Sequence, residues 1–191
     1  VPGNHEQYAP ADWLRVTGQP REQIVPMNFA VFVLLDAFSG DLGPTQNSDG
    51  TYLPVNVDLI REALALPGER PVFLLAHWFD MERESEAFKA VLRDNPRIRA
   101  LFCGHDHRSL IGNTGEDAGN LPILHDGHFS YSGERDPYLC WRGWRELIVR
   151  EDGSWESFYR VPEQAVPYPG WEVRIDAHTQ DSIKPAAGGI H

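Results

Sequence analysis

Three short stretches of the chain carry side chains able to do metal chemistry. They are Gly3-Asn4-His5-Glu6, the histidine of "VFLLAH" at His77, and Gly104-His105-Asp106-His107 in "LFCGHDHRSL". Neutral imidazole is the commonest side-chain ligand of a metal ion, and an asparagine carbonyl oxygen is a harder companion. Each stretch alone has an ordinary reading. A histidine after a strand is usually a hydrogen-bonded boundary residue, an H-x-H spacing recurs by chance, and "GNH" can be a plain turn. All three together, in this order, with two of them at the ends of predicted strands, favour a metal site. Alternate residues of an extended segment point the same way, so His105 and His107 can face one site. Gly104 is expected to let the chain turn sharply there and approach a ligand closely.

The elements that must position these residues follow from the hydrophobic pattern. Residues 1–28 read as irregular, rich in proline and polar groups. "FAVFVLL" (29–35) is a continuous apolar, β-branched run and predicts a buried strand. Residues 39–54 have loop chemistry. "VNVDLIREALAL" (55–66) predicts a helix with Val57, Ile60 and Leu64 on one face, stopped by Pro67-Gly68. "PVFLLAH" (71–77) predicts a second strand. "SEAFKAVLRDNP" (85–96) predicts a helix capped by Ser85, with Phe88, Val91 and Leu92 inward. "IRALFC" (98–103) predicts a third strand. Strands alternating with helices indicate an α/β sheet with crossover helices. In such sheets ligands collect beyond the carboxyl ends of the strands, where His77, His105 and His107 fall. The C-terminal third reads as β-rich, with strand-like segments at "SLIGN", "LPILHDG" and "WRELIVREDGSWESFYRV" and a hairpin signal at Asp152-Gly153. The tail from Thr179 is expected to be mobile.

Composition narrows the partners. A chain of 191 residues, 41% hydrophobic and 24% charged, fits one globular domain with a real core. With 28 acidic against 17 basic side chains the net charge is −11, which argues against a nucleic-acid backbone or an anionic membrane as partner. An acidic protein can still bind a phosphate ester if metal cations supply local positive charge. No apolar stretch reaches membrane-spanning length. Cys103 and Cys140 do not make a disulfide framework and read as small core residues.

As a set, the three motifs resemble the calcineurin-like metallophosphoesterases. That family's signature runs D-x-H, G-D-x-x-D, G-N-H-D/E, a histidine after a buried strand, and G-H-x-H. Gly3-Asn4-His5-Glu6 matches the third block, His77 the fourth, and Gly104-His105-Asp106-His107 the fifth. Asp36 after "FVLL" resembles the family's strand ending in Leu-Asp. The resemblance covers residues 1–160, as the C-terminal two-thirds of a metallophosphoesterase-type β-sandwich flanked by helices and missing its N-terminal strands. Residues 161–191 read as a C-terminal extension. The first two blocks belong before Gly3, where the chain has only Val1 and Pro2. Asp176-Ala177-His178 has the D-x-H form without a following G-D-x-x-D, and Gly40-Asp41 lies in the wrong order. Both read as surface residues, so an N-terminally truncated fragment is expected.

The resemblance implies a dinuclear centre of two divalent or trivalent ions, of a kind with Mn, Fe or Zn, acting on a phosphate-ester substrate. Asn4, His77 and His105 would bind one ion and His107 the other. His5 would stand beside the phosphate as general acid or charge stabiliser, and Glu6 would support its loop. Two cations about 3.5–4 Å apart activate water at neutral pH and neutralise phosphoryl oxygens, and a histidine suits protonation of a leaving alkoxide near pH 7. Phosphatase and phosphodiesterase activity both fit. Trp78 and Phe79 could stack on an aromatic leaving group, with core packing the preferred reading. Arg108 could reach phosphate or lie exposed. His125 and His128 read as loop residues. The competing class is a non-catalytic binding or scaffold domain derived from the same fold and keeping at most one weakly held ion.

Overall fold

The computed structural model describes residues 1–39, 50–107, 109–127, 143–160 and 172–173. The predicted strands and helices form where the apolar pattern puts them. Val31–Leu34 (β2) falls inside the first apolar run, Val72–Leu75 (β3) inside the second, and Ile98–Cys103 (β4) coincides with the third. The helix α2 spans Val57–Ala65 and α3 spans Glu86–Asp94. Both begin at a side-chain cap that satisfies an otherwise orphaned backbone N–H. Asn56 accepts from the Leu59 N–H at 3.3 Å, and Ser85 from the Phe88 N–H at 3.1 Å.

Residues 1–28 depart from the expectation of irregular chain. They hold a helix, α1 (Pro10–Thr17), and a strand, β1 (Gln23–Pro26). The helix starts with proline at its first position, has no side-chain cap and buries none of its residues. The strand exists because β2 pairs with it, antiparallel, from Gln23↔Leu34 to Pro26↔Val31. Its proline is tolerated at a sheet edge.

The remaining strands are β5 (Leu110–Asn113), β6 (Pro122–His125), β7 (Trp144–Val149), β8 (Trp155–Arg160) and the two-residue β9 (Glu172–Val173). A six-stranded mixed sheet has the order β1-β2-β3-β4-β6-β5, and β7-β8-β9 form a second sheet. β2, β3, β4 and β6 are parallel, so their carboxyl ends share one edge; β1 and β5 run antiparallel at the flanks.

Each face of the large sheet has its own core. On the helix side Val31, Val33, Val72, Leu74, Leu101 and Cys103 pack with Ile60, Phe88 and Leu92. On the other side Phe73, Ala100 and Leu124 meet Trp155 of β8, with the Phe73 and Trp155 rings 5.4 Å apart edge to face. An irregularity in the β3–β4 pairing falls between Val72 and Phe73, where Arg99 is skipped. It lets Ile98 and Leu101, three residues apart, both face the helices. Cys103 is buried and free, and burial pushes its thiol up to about 12, so it is an inert core residue as expected. Among the described residues no helix is long and apolar enough to cross a membrane. Gly40, Asp41, Arg108, His128, Cys140, Asp176, His178 and the tail from Thr179 lie outside the described residues.

Candidate metal centre

Parallel pairing delivers the histidines to one place. The Ala76 N–H donates to the Phe102 carbonyl at 3.2 Å and the Gly104 N–H to the His77 carbonyl at 3.0 Å, so β3 and β4 stay joined past their formal ends. His77 and His105 therefore leave the sheet side by side. His105 Nδ1 lies 3.3 Å from His77 Nε2, and the same His77 Nε2 lies 3.0 Å from Asn4 Oδ1. Asn4 is 73 residues away from His77 in the chain.

A tether brings Asn4 there. Arg21, which precedes β1, donates from Nη1 to the carbonyls of Glu6 and Tyr8, each at 3.0 Å, and from Nε to Asp36 Oδ2 at 2.5 Å. Asp36 follows β2, and both side chains of this ion pair are buried. The pair clamps the segment after Glu6 to the carboxyl edge of the sheet. Within the turn, Glu6 Oε2 accepts from the Gly3 N–H at 2.7 Å, and the Glu6 N–H donates to the Gly3 carbonyl at 3.1 Å. Glu6 thus supports its loop, as the resemblance implies. Gly3 is needed for space: a Cβ there would stand 2.8 Å from Glu6 Oε2 and 3.0 Å from His77 Cε1 and Nδ1.

The second turn departs from the extended, glycine-pivoted form expected. Gly104 is not in the left-handed region; His105 (φ 66°) and His107 (φ 57°) are. A Cβ on Gly104 would come no closer than 4.0 Å to anything, the His77 carbonyl oxygen. The Asp106 N–H donates back to the Gly104 carbonyl at 2.8 Å, a three-residue turn around a positive-φ centre, which is the rare and strained form of the γ-turn. For a residue with a Cβ the left-handed conformation costs about 1–2 kcal/mol. Strain of this kind collects at functional sites.

Aromatic rings wall the cluster. Trp78 stacks on His105 with centroids 4.7 Å apart, and Phe38 packs on both histidines at 5.7 Å and 6.0 Å. Asp36 Oδ1 accepts from the Phe38 N–H at 3.0 Å, so the tether also places this ring. Trp78 is therefore a packing partner of a candidate ligand, in line with the core reading; Phe79 is buried. Burial, and next the neighbouring charge of His105, lowers the His77 pKa to about 4; His107 and His5 act in the same direction and Glu6 against them. His77 is then neutral, the form that binds metal, through nearly all the acid range.

Of the five candidate residues the structure joins Asn4, His77 and His105 directly. His107 and His5 are near enough for their charge to depress His77, with His5 exposed at the turn. Among the described residues no three His, Cys, Asp or Glu side chains form a metal-holding group; the joined trio reaches three donors through an asparagine.

One residue near the site, expected in a loop, belongs to a strand instead. His125 ends β6, is paired in register with Cys103, and its Nδ1 lies 3.1 Å from Asp106 Oδ2. The signal was present: "PILH" is an apolar run closed by histidine, the form that identified "VFLLAH". No protein-family model matches the chain, and a search of the curated proteins returns no match.

Proposed function

We propose that the chain is part of a calcineurin-like metallophosphoesterase, a two-sheet sandwich flanked by helices, and that its chemistry is metal-dependent hydrolysis of a phosphoric ester. The observation that carries this reading is the spacing of the three donors. Ligands bonded to one ion at about 2.0–2.2 Å, at angles between tetrahedral and octahedral, stand roughly 2.8–3.6 Å apart. Asn4 Oδ1, His77 Nε2 and His105 Nδ1 are separated by 3.0 Å and 3.3 Å along the chain of contacts. A hydrogen-bond network explains this less well, because one ring nitrogen has one proton or one lone pair and here meets two partners. An ion beside all three lone pairs satisfies them together.

Asn4, His77 and His105 would hold one ion, and His107 would contribute to the second. Such a pair of cations supplies charge neutralisation at the phosphoryl oxygens and a nucleophilic water at neutral pH. The chain's own residues do the rest. The Arg21–Asp36 tether and the aromatic wall fix the donors. His5, exposed beside Asn4, would face substrate and give its proton to the leaving oxygen. Among the described residues Asn4, His77 and His105 are the donors for one ion and His107 is the candidate for the other.

The test is a Co²⁺ titration followed by visible absorption, together with Mn²⁺-dependent hydrolysis of an aryl phosphate and an aryl phosphodiester. His77→Ala and His105→Ala should lose Co²⁺ binding, whereas His5→Ala should keep it. Unchanged binding in His77→Ala would sink the centre. Tight Co²⁺ binding with no hydrolysis of either ester, even at high Mn²⁺, would favour the scaffold reading instead.

A further inference from the structure

The strained turn at 104–107 needs something to hold it. Two of its four residues carry a Cβ in the left-handed region, and Asp106 lies between them. Asp106 is also where the turn meets the neighbouring strand: its Oδ2 lies 3.1 Å from His125 Nδ1, an electrostatic contact that is not aligned as a hydrogen bond. His125 is well placed for this. It sits opposite Cys103 in the β4–β6 ladder, one residue before the turn begins.

Its own backbone is fixed on both sides. The Asp126 N–H donates to the Cys103 carbonyl at 2.6 Å. The His125 carbonyl accepts from Arg145 Nη2 at 3.2 Å, and the same Nη2 donates to Ser109 Oγ, also at 3.2 Å, just beyond the turn. Arg145 belongs to β7 in the second sheet, so that sheet braces the residue that grips the turn. The His125 side chain is only 14% exposed. The Asp106 side chain is 39% exposed, so the contact joins a largely buried ring with fixed backbone to a carboxylate at the surface.

We propose that His125 is a positioning residue that, through Asp106, holds the 104–107 turn in its left-handed conformation and so keeps His105 against His77. The clamp itself stands on geometry alone; its consequence for metal affinity rests on the reading of the centre given above. Partners of this kind, one step behind the ligands, typically change metal affinity about 10–100-fold when removed.

The experiment uses the full 191-residue chain and four variants: His125→Leu, Asp106→Ala, the double variant, and Asp106→Asn. Two quantities are read. Backbone ¹³C chemical shifts of His105 and His107, without metal, report whether φ stays positive. Co²⁺ titration reports affinity. His125→Leu and Asp106→Ala should each move the shifts away from left-handed values and weaken Co²⁺ binding about 10–100-fold. The double variant should be no worse than either single one, because both remove one contact. Asp106→Asn, whose amide oxygen still faces the His125 ring, should retain most of the wild-type shifts and affinity. Shifts that stay at wild-type values in Asp106→Ala, or losses that add in the double variant, would overturn the proposal. If His125→Leu fails to fold, the comparison of Asp106→Ala with Asp106→Asn decides it at a more exposed position. Should the wild type bind no Co²⁺ while the shifts respond as expected, the metal reading falls and the clamp stands.

Discussion

The turn at residues 3–6 has no residue at positive φ and is fastened from a distance, by Arg21 and Asp36; the turn at residues 104–107 continues directly from its strand and contains two left-handed histidines. Both deliver donors to His77. The first reaches the site from outside the sheet, so its backbone is free to relax while a buried ion pair bears the load. The second has a single residue, Gly104, between the end of β4 and His105, whose ring meets His77, which leaves no slack to avoid strain. Similar side chains can thus be positioned by long-range charge or by local backbone conformation, and the two should fail differently.

The largest effect should come from cutting the tether. Asp36→Ala leaves the buried Arg21 guanidinium without its carboxylate. Breaking a buried pair from one side costs about 3–5 kcal/mol, whereas replacing both partners by apolar residues costs much less. Asp36→Ala should therefore lose about that amount in urea unfolding, and Arg21→Met with Asp36→Leu should recover a large part of it. The recovered protein should still bind Co²⁺ poorly, because Glu6 and Tyr8 have lost the donor that placed their loop. A loss below about 1 kcal/mol for Asp36→Ala would mean that the first turn stands without its tether.

Next in size is a contrast between the glycines that open the two turns. Gly3→Ala puts a Cβ 2.8 Å from Glu6 Oε2 and 3.0 Å from the His77 ring. Overpacking of that kind costs about 1–3 kcal/mol and should displace His77, lowering Co²⁺ affinity as well. Gly104→Ala meets nothing nearer than 4.0 Å and needs no positive φ, so it should change stability by less than about 0.5 kcal/mol. Equal costs for the two would erase the distinction between a glycine needed for space and one that is not.

That contrast also marks where the sequence could be read and where it could not. β2, β3, β4, α2 and α3 were legible because each carries a continuous apolar run or a period with a cap, and their burial follows that pattern. β1 was not, since four residues ending in proline become a strand only when β2 offers an edge. The nearness of His77 and His105 follows from their strand ends, whereas the place of Asn4 is implied by the family resemblance and depends on a tether, Arg21 to Asp36, that no local pattern marks. The backbone of the second turn is not marked either. Glycine is the residue that usually marks a left-handed position, and here the histidines beside it take that conformation. His125 lies outside the family's blocks, yet its place at the end of an apolar run carries the same signal as His77.

His77 stands between the turns, and its titration reports whether they close on it. Burial and the charge of His105 hold its pKa at about 4, below the ordinary 6.5. As pH falls below about 6.5 the unfolded chain takes up the proton and the folded chain does not, so stability is lost between about 6.5 and 4 and levels off below. With solvent reaching part of the ring, the loss should be about 1–2 kcal/mol in the metal-free protein. Unfolding measured at a series of pH values for the wild type and His77→Gln isolates it: the wild type should lose more than the variant across this window. A constant difference between the two would show that the turns leave His77 open to water.

The smallest effect has opposite signs in the two turns. A residue with a Cβ at a left-handed position costs about 1–2 kcal/mol, and glycine removes that cost. Glycine also adds about 0.5–1 kcal/mol of backbone entropy to be lost on folding. His107→Gly, at φ 57°, combines both terms and should gain about 0.5–1 kcal/mol in the metal-free protein. His5→Gly, in a turn without positive φ, meets only the second term and should lose about 0.5–1 kcal/mol. Each should also change function in its own way. His107→Gly should weaken binding of a second Co²⁺ ion, and His5→Gly should leave Co²⁺ binding intact. A protein that becomes more stable on losing a candidate ligand is one whose turn is held in strain for the sake of its side chains. If His107→Gly were destabilised as much as His5→Gly, the left-handed conformation at residue 107 would carry no cost, and the contrast between a tethered turn and a strained one would rest on His105 alone.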